Sequence, residues 1–442
     1  MHLWVNQHRP DQALPRVTQG RGCEVFDEKG KRYLDGSGGP ALFSLGYSHP
    51  EVNEAISEQM ARIQFGYTTT FTSDAIDGLA EMIAEEAGPE LKYTSFVSGG
   101  SEAIETALKV ALQYHASRGD PGRTHFIARR QSWHGYTLGA LAVSGHLARR
   151  RPYENVLMPV TFVSPANEYR PPAGVKPEDL TDHLAAELEE AILRIGPGRV
   201  AGFLFEPVVG AAGGAVPPPP GYAQRVREIC DRYGVLMIAD EVMCGIGRCG
   251  SWRALALEDG CSPDIMTIAK GLGGGFMPIG ACVYRQEIYE AITGLYGTVA
   301  SVHTYSGHTL ACAAALAVLK VIRRDNLVEK CRTDGLYLKE QLHRRFDQNP
   351  HVGDIRGRGL FLALELVEDR ESKRPFPPSR KLADRVRAAA LEEGLICYPS
   401  SGSVDGINGD HVLLSPPYIV SRAELDEMVD QLERALRKLE LC

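Results

Sequence analysis

This chain of 442 residues has no Cys-x-x-Cys pairs, no excess of basic over acidic residues and no long apolar run. The ten cysteines are scattered, without Cys-x-x-Cys pairs or the Cys/His spacing of a metal site, so we expect reduced thiols and no metal centre. Lys and Arg number 48 against 56 Asp and Glu, which gives a net charge of −8 and no basic stripe for nucleic acid.

A membrane partner is not expected either. The first twenty residues contain no apolar stretch of the secretory kind. The most apolar run, residues 310–319, has half the roughly 20 residues that a bilayer-spanning helix needs and predicts a buried helix instead. With 44% hydrophobic and 24% charged residues, the composition indicates a globular, cytoplasmic protein, and the length allows two or three domains.

Short apolar runs alternate with helical patterns through the middle of the chain. Each run ends in polar or turn residues: "HFIA" at 125–128, "AGFLFEP" at 201–207, "GVLMIAD" at 234–240 and "DIMTIAK" at 264–270. Between the second and third runs, Val226, Ile229 and Cys230 repeat at helical spacing and Gly234 closes the helix. The pattern predicts a mostly parallel sheet covered on both faces, with ligands beyond the carboxyl ends of its strands.

The two ends of the chain are patterned differently. Residues 22–36 have the turn chemistry of an antiparallel hairpin around Gly30. Residues 422–440 predict an amphipathic helix, because Leu425, Met428 and Leu432 share one face with Val429. We therefore predict a small domain built from both ends of the chain, flanking one large domain.

Four candidate site elements follow the predicted strands. Ser98 to Ser101, "SGGS", lead into a helix and favour anion binding by backbone N–H groups, although a simple helix cap has the same composition. Trp133 and His134 in "SWHGYT" offer a flat face for a planar ring, although tryptophan is commonly a core residue.

The other two elements are ionisable. Asp240 ends an apolar run, so it is either a turn former or a buried carboxylate that needs a cation, for which a protonated pyridine nitrogen would serve. Lys270 ends another apolar run and precedes "GLGGG". A lysine in an apolar pocket has a lowered pKa and can attack an aldehyde, whereas most lysines are solvated surface groups. Together the four elements match what pyridoxal phosphate (PLP) requires.

These motifs resemble the class III (subgroup II) aminotransferases of fold type I. The resemblance runs from "GRGCEVFDEKGKRYLDGSGG" through "SGGSEAIETALKVA", "WHGYT", "FEPVVGAAGG", "IADEVMCGIGRCG" and "AKGLGGGFMPIGA" to "HTYSGHTLACAAALAVL" and "GDHVLLSPPYIV". It implies an α/β fold, with a large PLP-binding domain at 51–330 whose sheet is mostly parallel and seven-stranded. A small α+β domain would come from residues 1–50 and 331–442.

The resemblance also implies a role for each site residue. Lys270 would form the internal aldimine and shuttle a proton, and Asp240 would pair with the pyridinium nitrogen. The remaining cofactor contacts would come from Gly100 and Ser101 at the phosphate, Trp133 and Val242 on the two ring faces, His134, Glu206 near the ring hydroxyl, and Thr304 of a neighbouring subunit at the phosphate. Shared active sites would make the protein a homodimer.

Two departures from the family pattern concern the substrate. Tyr398, in "ICYPSSG", stands where many relatives carry a mobile arginine that binds the acceptor carboxylate. Ala41, in "GGPALFSLGY", stands where relatives often have a bulky aromatic residue, with Phe43 beside it. We therefore predict a roomier substrate pocket lined by Ala41, Phe43 and Tyr398, and a donor that is a larger or non-α amine.

The predicted activity is transfer of an amino group from a primary amine or amino acid, including an ω-amine, to an oxo acid. Epimerases, decarboxylases and lyases on the same scaffold need the same Lys270 and Asp240, so they remain alternatives. A non-catalytic protein that keeps the fold as a scaffold is a further alternative, against which the intact Lys270 and Asp240 argue.

Overall fold

The computed structural model describes residues 14–258 and 260–442. Its strands are β1 Val17–Arg21, β2 Glu24–Asp27, β3 Arg32–Asp35, β4 Leu91–Val97, β5 His125–Arg129, β6 Val160–Val163, β7 Val200–Phe205, β8 Leu236–Asp240, β9 Ile265–Ile268, β10 Gly280–Arg285, β11 Val352–Arg358, β12 Phe361–Leu366, β13 Leu395–Ile396, β14 Tyr398–Ser401 and β15 Asp410–Leu414.

The helices lie mainly between these strands. They are α1 Gly38–Ala41, α2 Pro50–Arg62, α3 Asp74–Ala87, α4 Gly100–Ser117, α5 Leu138–Val143, α6 Leu147–Arg150, α7 Leu180–Ile195, α8 Tyr222–Tyr233, α9 Gln286–Tyr296, α10 Thr309–Arg324, α11 Leu327–Phe346, α12 Leu382–Glu392 and α13 Arg422–Arg437.

A seven-stranded sheet forms the centre of the molecule, in the order β4-β10-β9-β8-β7-β5-β6. Only β10 runs against its neighbours, so the sheet is mostly parallel, which confirms the predicted α/β fold. The four apolar runs singled out in the sequence are β5, β7, β8 and β9.

Both faces of this sheet are covered, and side chains alternate between them. In β8, Leu236 and Ile238 pack on the face that carries α4. Met237 and Ala239 pack on the opposite face, with α7 and α8. A strand has a two-residue period, so Asp240, which follows Ile238 by two, is directed to the α4 side.

The chain termini meet in a second sheet, β1-β2-β3-β13, in which β3 pairs in parallel with β13 from the other end of the chain. The predicted hairpin is β2 and β3, and its Gly30 has φ 76°. The predicted terminal helix is α13, with Leu425, Met428, Val429 and Leu432 buried. The division at 1–50, 51–330 and 331–442 stays a prediction, and residues 1–13 of its first segment lie outside the described residues.

Helix α10 contains the most apolar run and is packed into the core, with Ala311, Ala315 and Val318 buried. Among the described residues no helix is both long enough and apolar enough to cross a bilayer. The cysteines are all free thiols, nine of them buried and Cys442 exposed.

Candidate active site at the carboxyl ends of the central strands

A cavity of about 440 Å³ opens at the carboxyl ends of β7, β8 and β9 and at the N-terminus of α4. This volume is within the roughly 300–1,000 Å³ of small-molecule sites. Eight of the predicted site residues line it: Gly100, Ser101, Trp133, His134, Glu206, Asp240, Val242 and Lys270. They come from five separate segments of the chain.

Asp240 is buried where β8 ends, and its carboxylate is held by three donors. The imidazole Nδ1 of His134 lies 2.7 Å from Oδ2. The Val242 N–H (3.0 Å) and the Thr267 hydroxyl (3.3 Å) donate to Oδ1. An ionised carboxylate only accepts, so His134 carries its Nδ1 proton here, and among the described residues its buried Nε2 has no partner. The sequence did not predict that His134 would contact Asp240.

Glu206 follows β7 and points into the same cavity. Its two oxygens accept the N–H groups of Trp133 (2.9 Å) and Gly210 (2.8 Å). The buried Arg129 guanidinium donates to the Glu206 carbonyl oxygen and so fixes this strand end. Burial raises the pKa of Glu206; the electrostatic effect of His134 opposes this shift and that of Asp240 reinforces it.

Lys270 follows β9 and has a left-handed backbone conformation, with φ 44°. Such a conformation costs about 1–3 kcal/mol in a residue with a Cβ and persists only where the surroundings enforce it. Burial lowers the pKa of the Lys270 amine, and the carboxylates of Asp240 and Glu206 partly oppose that shift. A larger fraction of the amine is therefore in the neutral, nucleophilic form than in a solvated lysine.

The N-terminus of α4 contributes backbone N–H donors to one side of the cavity. The first turn of a helix has N–H groups without intrahelical acceptors, and Ser98 to Ser101 all line the cavity. The Ser101 hydroxyl oxygen accepts the Tyr136 N–H at 3.1 Å, so its own O–H is free to donate. A Cβ on Gly100 would lie 2.9 Å from Cγ1 of Val242, so only glycine fits beside that side chain.

These groups fit a phosphorylated pyridine aldehyde. The helix start suits the phosphate, the carboxylate of Asp240 suits a ring nitrogen, and the amine of Lys270 suits an aldehyde. Val242 and Trp133 both line the space in which a ring would lie.

Four predicted residues are not among those that line the cavity. Ala41 packs in a cluster with the lining residues Ala211 and Met243. Tyr398 packs against the same cluster. Phe43 lies behind the lining residue Gly275, where a Cβ would collide with its ring. Thr304 is exposed on the surface of this chain.

The sequence interpretation missed several lining residues. Leu42, between Ala41 and Phe43, is one, and Phe276 to Ile279 after the glycine run are others. The run "GLGGG" was the available signal, since glycines allow a backbone to pass close to other atoms. Nothing in the local pattern indicated that the four residues after it would face the cavity.

Glu241, next to Asp240, faces away from the cavity and has a structural role. Its carboxylate accepts the N–H groups of Ala254 and Leu255, both at 2.8 Å, at the start of a short 3₁₀ helix. Burial raises the pKa of Glu241 to about 7, although the Leu255 and Ala254 N–H groups oppose the shift.

Residues 5–436 match the sequence profile of the family described as Aminotransferase class-III. The chain is 42% identical over 429 residues to an uncharacterized aminotransferase of Schizosaccharomyces pombe, covering 97% of this chain and 93% of that protein. It is similar in structure to an (S)-enantioselective omega-transaminase from Thermomicrobium roseum, with a TM-score of 0.92, 35% identity and coverage of 99% and 96%. An amine transaminase from an uncultivated Pseudomonas species, described as PLP-bound, gives a TM-score of 0.90 at 34% identity, with coverage of 99% and 98%.

The raised pKa of Glu241 predicts a pH-dependent stability. A carboxyl that binds its proton more tightly in the folded state stabilises the fold at low pH, and this stabilisation is lost as pH rises from about 4.5 to about 7. The melting temperature of the wild type should therefore fall more between pH 5 and pH 8 than that of Glu241→Gln. The exposed Glu371→Gln is the control and should keep the wild-type pH dependence. Equal pH dependence in wild type and Glu241→Gln contradicts the assignment.

Proposed function

This chain belongs to the class-III aminotransferases, PLP-dependent enzymes, and from that premise we propose that Lys270, Asp240 and Glu206 carry out amino transfer in the cavity of about 440 Å³. The observation that carries the proposal is the meeting of one amine, two carboxylates and the start of α4 in a single cavity. Each of these groups follows a different strand, so their meeting reflects the folded sheet and not local sequence.

When bound, PLP supplies an aldehyde that takes up the amino group and a protonated ring that draws electrons from the reacting carbon. Lys270 Nζ would take up the proton that leaves the donor carbon and deliver it to the carbon that had carried the aldehyde oxygen, which is what separates transfer from epimerisation. Its lowered pKa supports this role, because a base is most effective when its pKa lies near the working pH.

Asp240 holds the positive charge of the ring nitrogen. Its carboxylate is fixed by His134, Val242 and Thr267, so it cannot turn away from the cavity. A buried carboxylate beside a cation keeps that cation protonated, which preserves the electron-withdrawing state of the ring.

The other roles concern binding and orientation. The N–H of Gly100 and the N–H and hydroxyl of Ser101 bind the phosphate, supported by their position at the start of α4. Val242 and Trp133, which both line the cavity, would contact the ring, and Glu206, held by two backbone N–H groups, would orient the ring hydroxyl.

The lining of the cavity supports a donor that carries no α-carboxylate. Apolar residues dominate it, among them Leu42, Ala211, Met243, Phe276 and Met277, and among the described residues no arginine lines it. A larger or non-α amine can enter such a pocket without leaving a carboxylate unpaired. Ala41, Phe43 and Tyr398, packed just outside the lining, set its shape.

The first experiment separates amino transfer from the epimerase, decarboxylase and lyase alternatives. We expect a panel of amines with pyruvate to give aminated acceptor and deaminated donor in equal amounts, with primary amines that lack an α-carboxylate among the best donors. The cofactor absorbance should fall on adding donor and return on adding acceptor. Lys270→Ala is the negative control. Racemised donor, released ammonia or CO2 contradicts amino transfer, and turnover of small α-amino acids alone contradicts the donor proposal.

The second prediction concerns Asp240. Asp240→Asn should lower kcat by several powers of ten, because the neutral amide cannot hold the ring proton, while the protein still retains cofactor by its phosphate and ring contacts. Glu241→Gln removes the neighbouring buried carboxylate that faces away from the cavity, and its kcat should stay within about threefold of wild type. Undiminished turnover of Asp240→Asn contradicts the assigned role.

We also propose a homodimer in which Thr304 reaches the phosphate bound by the neighbouring subunit. Its exposure on this chain supports that arrangement, since an exposed hydroxyl can reach a site on a partner subunit. The free cysteines support a cytoplasmic location, which cell fractionation tests.

Thr304→Ala should weaken PLP binding roughly tenfold, the usual effect of losing one hydrogen bond to a charged group. The exposed Thr298→Ala is the control. Mixed dimers of Thr304→Ala with Lys270→Ala should recover activity at limiting PLP, because one of their two sites then has both residues intact. No recovery in verified mixed dimers contradicts a shared site.

A further inference from the structure

Arg149 lies near the cavity and, among the described residues, has no carboxylate partner. It lies in α6, and its guanidinium carbon is 4.3 Å from the ring centroid of Trp133, which lines the cavity. Trp133 also meets the exposed Tyr136 edge-on at 4.6 Å, so this is where the cavity wall approaches solvent. Arg149 itself is half-buried.

The adjacent Arg150 shows what a structural arginine looks like in the same helix. Its guanidinium is buried over Phe162 and donates to the carbonyl oxygens of Leu141 and Ser144, both at 3.0 Å, and of Ala142. Among the described residues, the guanidinium of Arg149 has neither a hydrogen bond nor a carboxylate within 4.0 Å. Its five N–H donors are therefore available to a ligand.

Two buried imidazoles on which the charge of Arg149 acts do not neutralise it. Burial lowers the pKa values of the His146 and His411 imidazoles to about 4 and about 3; the charge of Arg149 adds to this effect at His146, and at His411 it does so after the larger effect of Arg356. Both imidazoles are therefore neutral at pH 7. Burial is the main cause of the lowered pKa of Lys270, and the charge of Arg149 adds a small effect in the same direction.

We propose that Arg149 binds the carboxylate of the oxo-acid acceptor at the mouth of the cavity, with the Trp133 ring as its support. This inference rests on the proposed function. A guanidinium is the group that matches a carboxylate with two parallel N–H donors, and stacking on an aromatic ring leaves its in-plane donors free. Arg149 provides a group that binds the carboxylate of the acceptor, which the cavity lining lacks. A donor without a carboxylate needs no contact with Arg149.

The test compares Arg149→Met with wild type in the two halves of the reaction. The KM for pyruvate should rise roughly 10- to 100-fold with little change in kcat, the usual cost of losing a charged hydrogen bond. The KM for a carboxylate-free amine donor, and for a carboxylate-free aldehyde acceptor, should stay within about twofold of wild type. Arg151→Met, an exposed neighbour in sequence, is the matched control and should leave all three constants unchanged.

A binding measurement tests the role of Arg149 without requiring catalysis. Calorimetry with butanoate, an inert monocarboxylate, should show a dissociation constant at least tenfold weaker for Arg149→Met than for wild type and Arg151→Met. Arg149→Lys keeps the charge but not the paired donors and should show a smaller loss. This variant carries the test if Arg149→Met does not fold.

Three results overturn the proposal. One is an unchanged KM for pyruvate, and another is unchanged butanoate binding. The third is an equal rise in KM for pyruvate and for the aldehyde, together with weaker cofactor binding, which would mean that Arg149 only positions Trp133. Wild-type protein that transfers no amino group to any oxo acid would instead reject the proposed function, and butanoate binding would still report on Arg149.

Discussion

The hydrogen bond of 2.7 Å between His134 Nδ1 and Asp240 Oδ2 is the contact around which the cavity is organised. It gives a hydrogen-bond partner to Oδ2 of this buried carboxylate, while Val242 and Thr267 donate hydrogen bonds to Oδ1. Without these donors the carboxylate oxygens would be buried with no hydrogen-bond partner, which costs free energy. Asp240 can therefore stay at the end of a buried strand.

The same constraint explains why the other charged groups lie close by. Glu206 and Asp240 both oppose the effect of burial on Lys270, so the amine is less perturbed than a buried lysine alone would be. Glu206 is in turn held by two backbone N–H groups and has a raised pKa. The carboxylates and the amine thus form one electrostatic unit, in which changing one member changes the proton affinity of the others.

Polarity divides the cavity into regions with different tasks. The start of α4 brings backbone N–H groups to one part of the cavity, and apolar side chains line another, where we propose that a donor without a carboxylate binds. Arg149 lies outside this lining, stacked on Trp133 toward solvent. An enzyme that handles a donor and an acceptor in turn at one site needs such a division when only the acceptor carries a negative charge.

The sequence alone determined the elements and the chemistry of the centre. Continuous apolar runs ending in Glu206, Asp240 and Lys270 predicted parallel strands with ionisable groups at their carboxyl ends, because such strands are covered on both faces and ligands bind at that edge. Only the tertiary structure decided which partners these groups have. Two of its results join segments that are distant in sequence: His134 contacts Asp240, and Arg149 stacks on Trp133. Two others depend on the direction of a side chain: Glu241 faces away from the cavity, and Leu42 lines it instead of Ala41. The period of a strand or helix fixes the face of a residue, but distances across the cavity arise only when the layers pack.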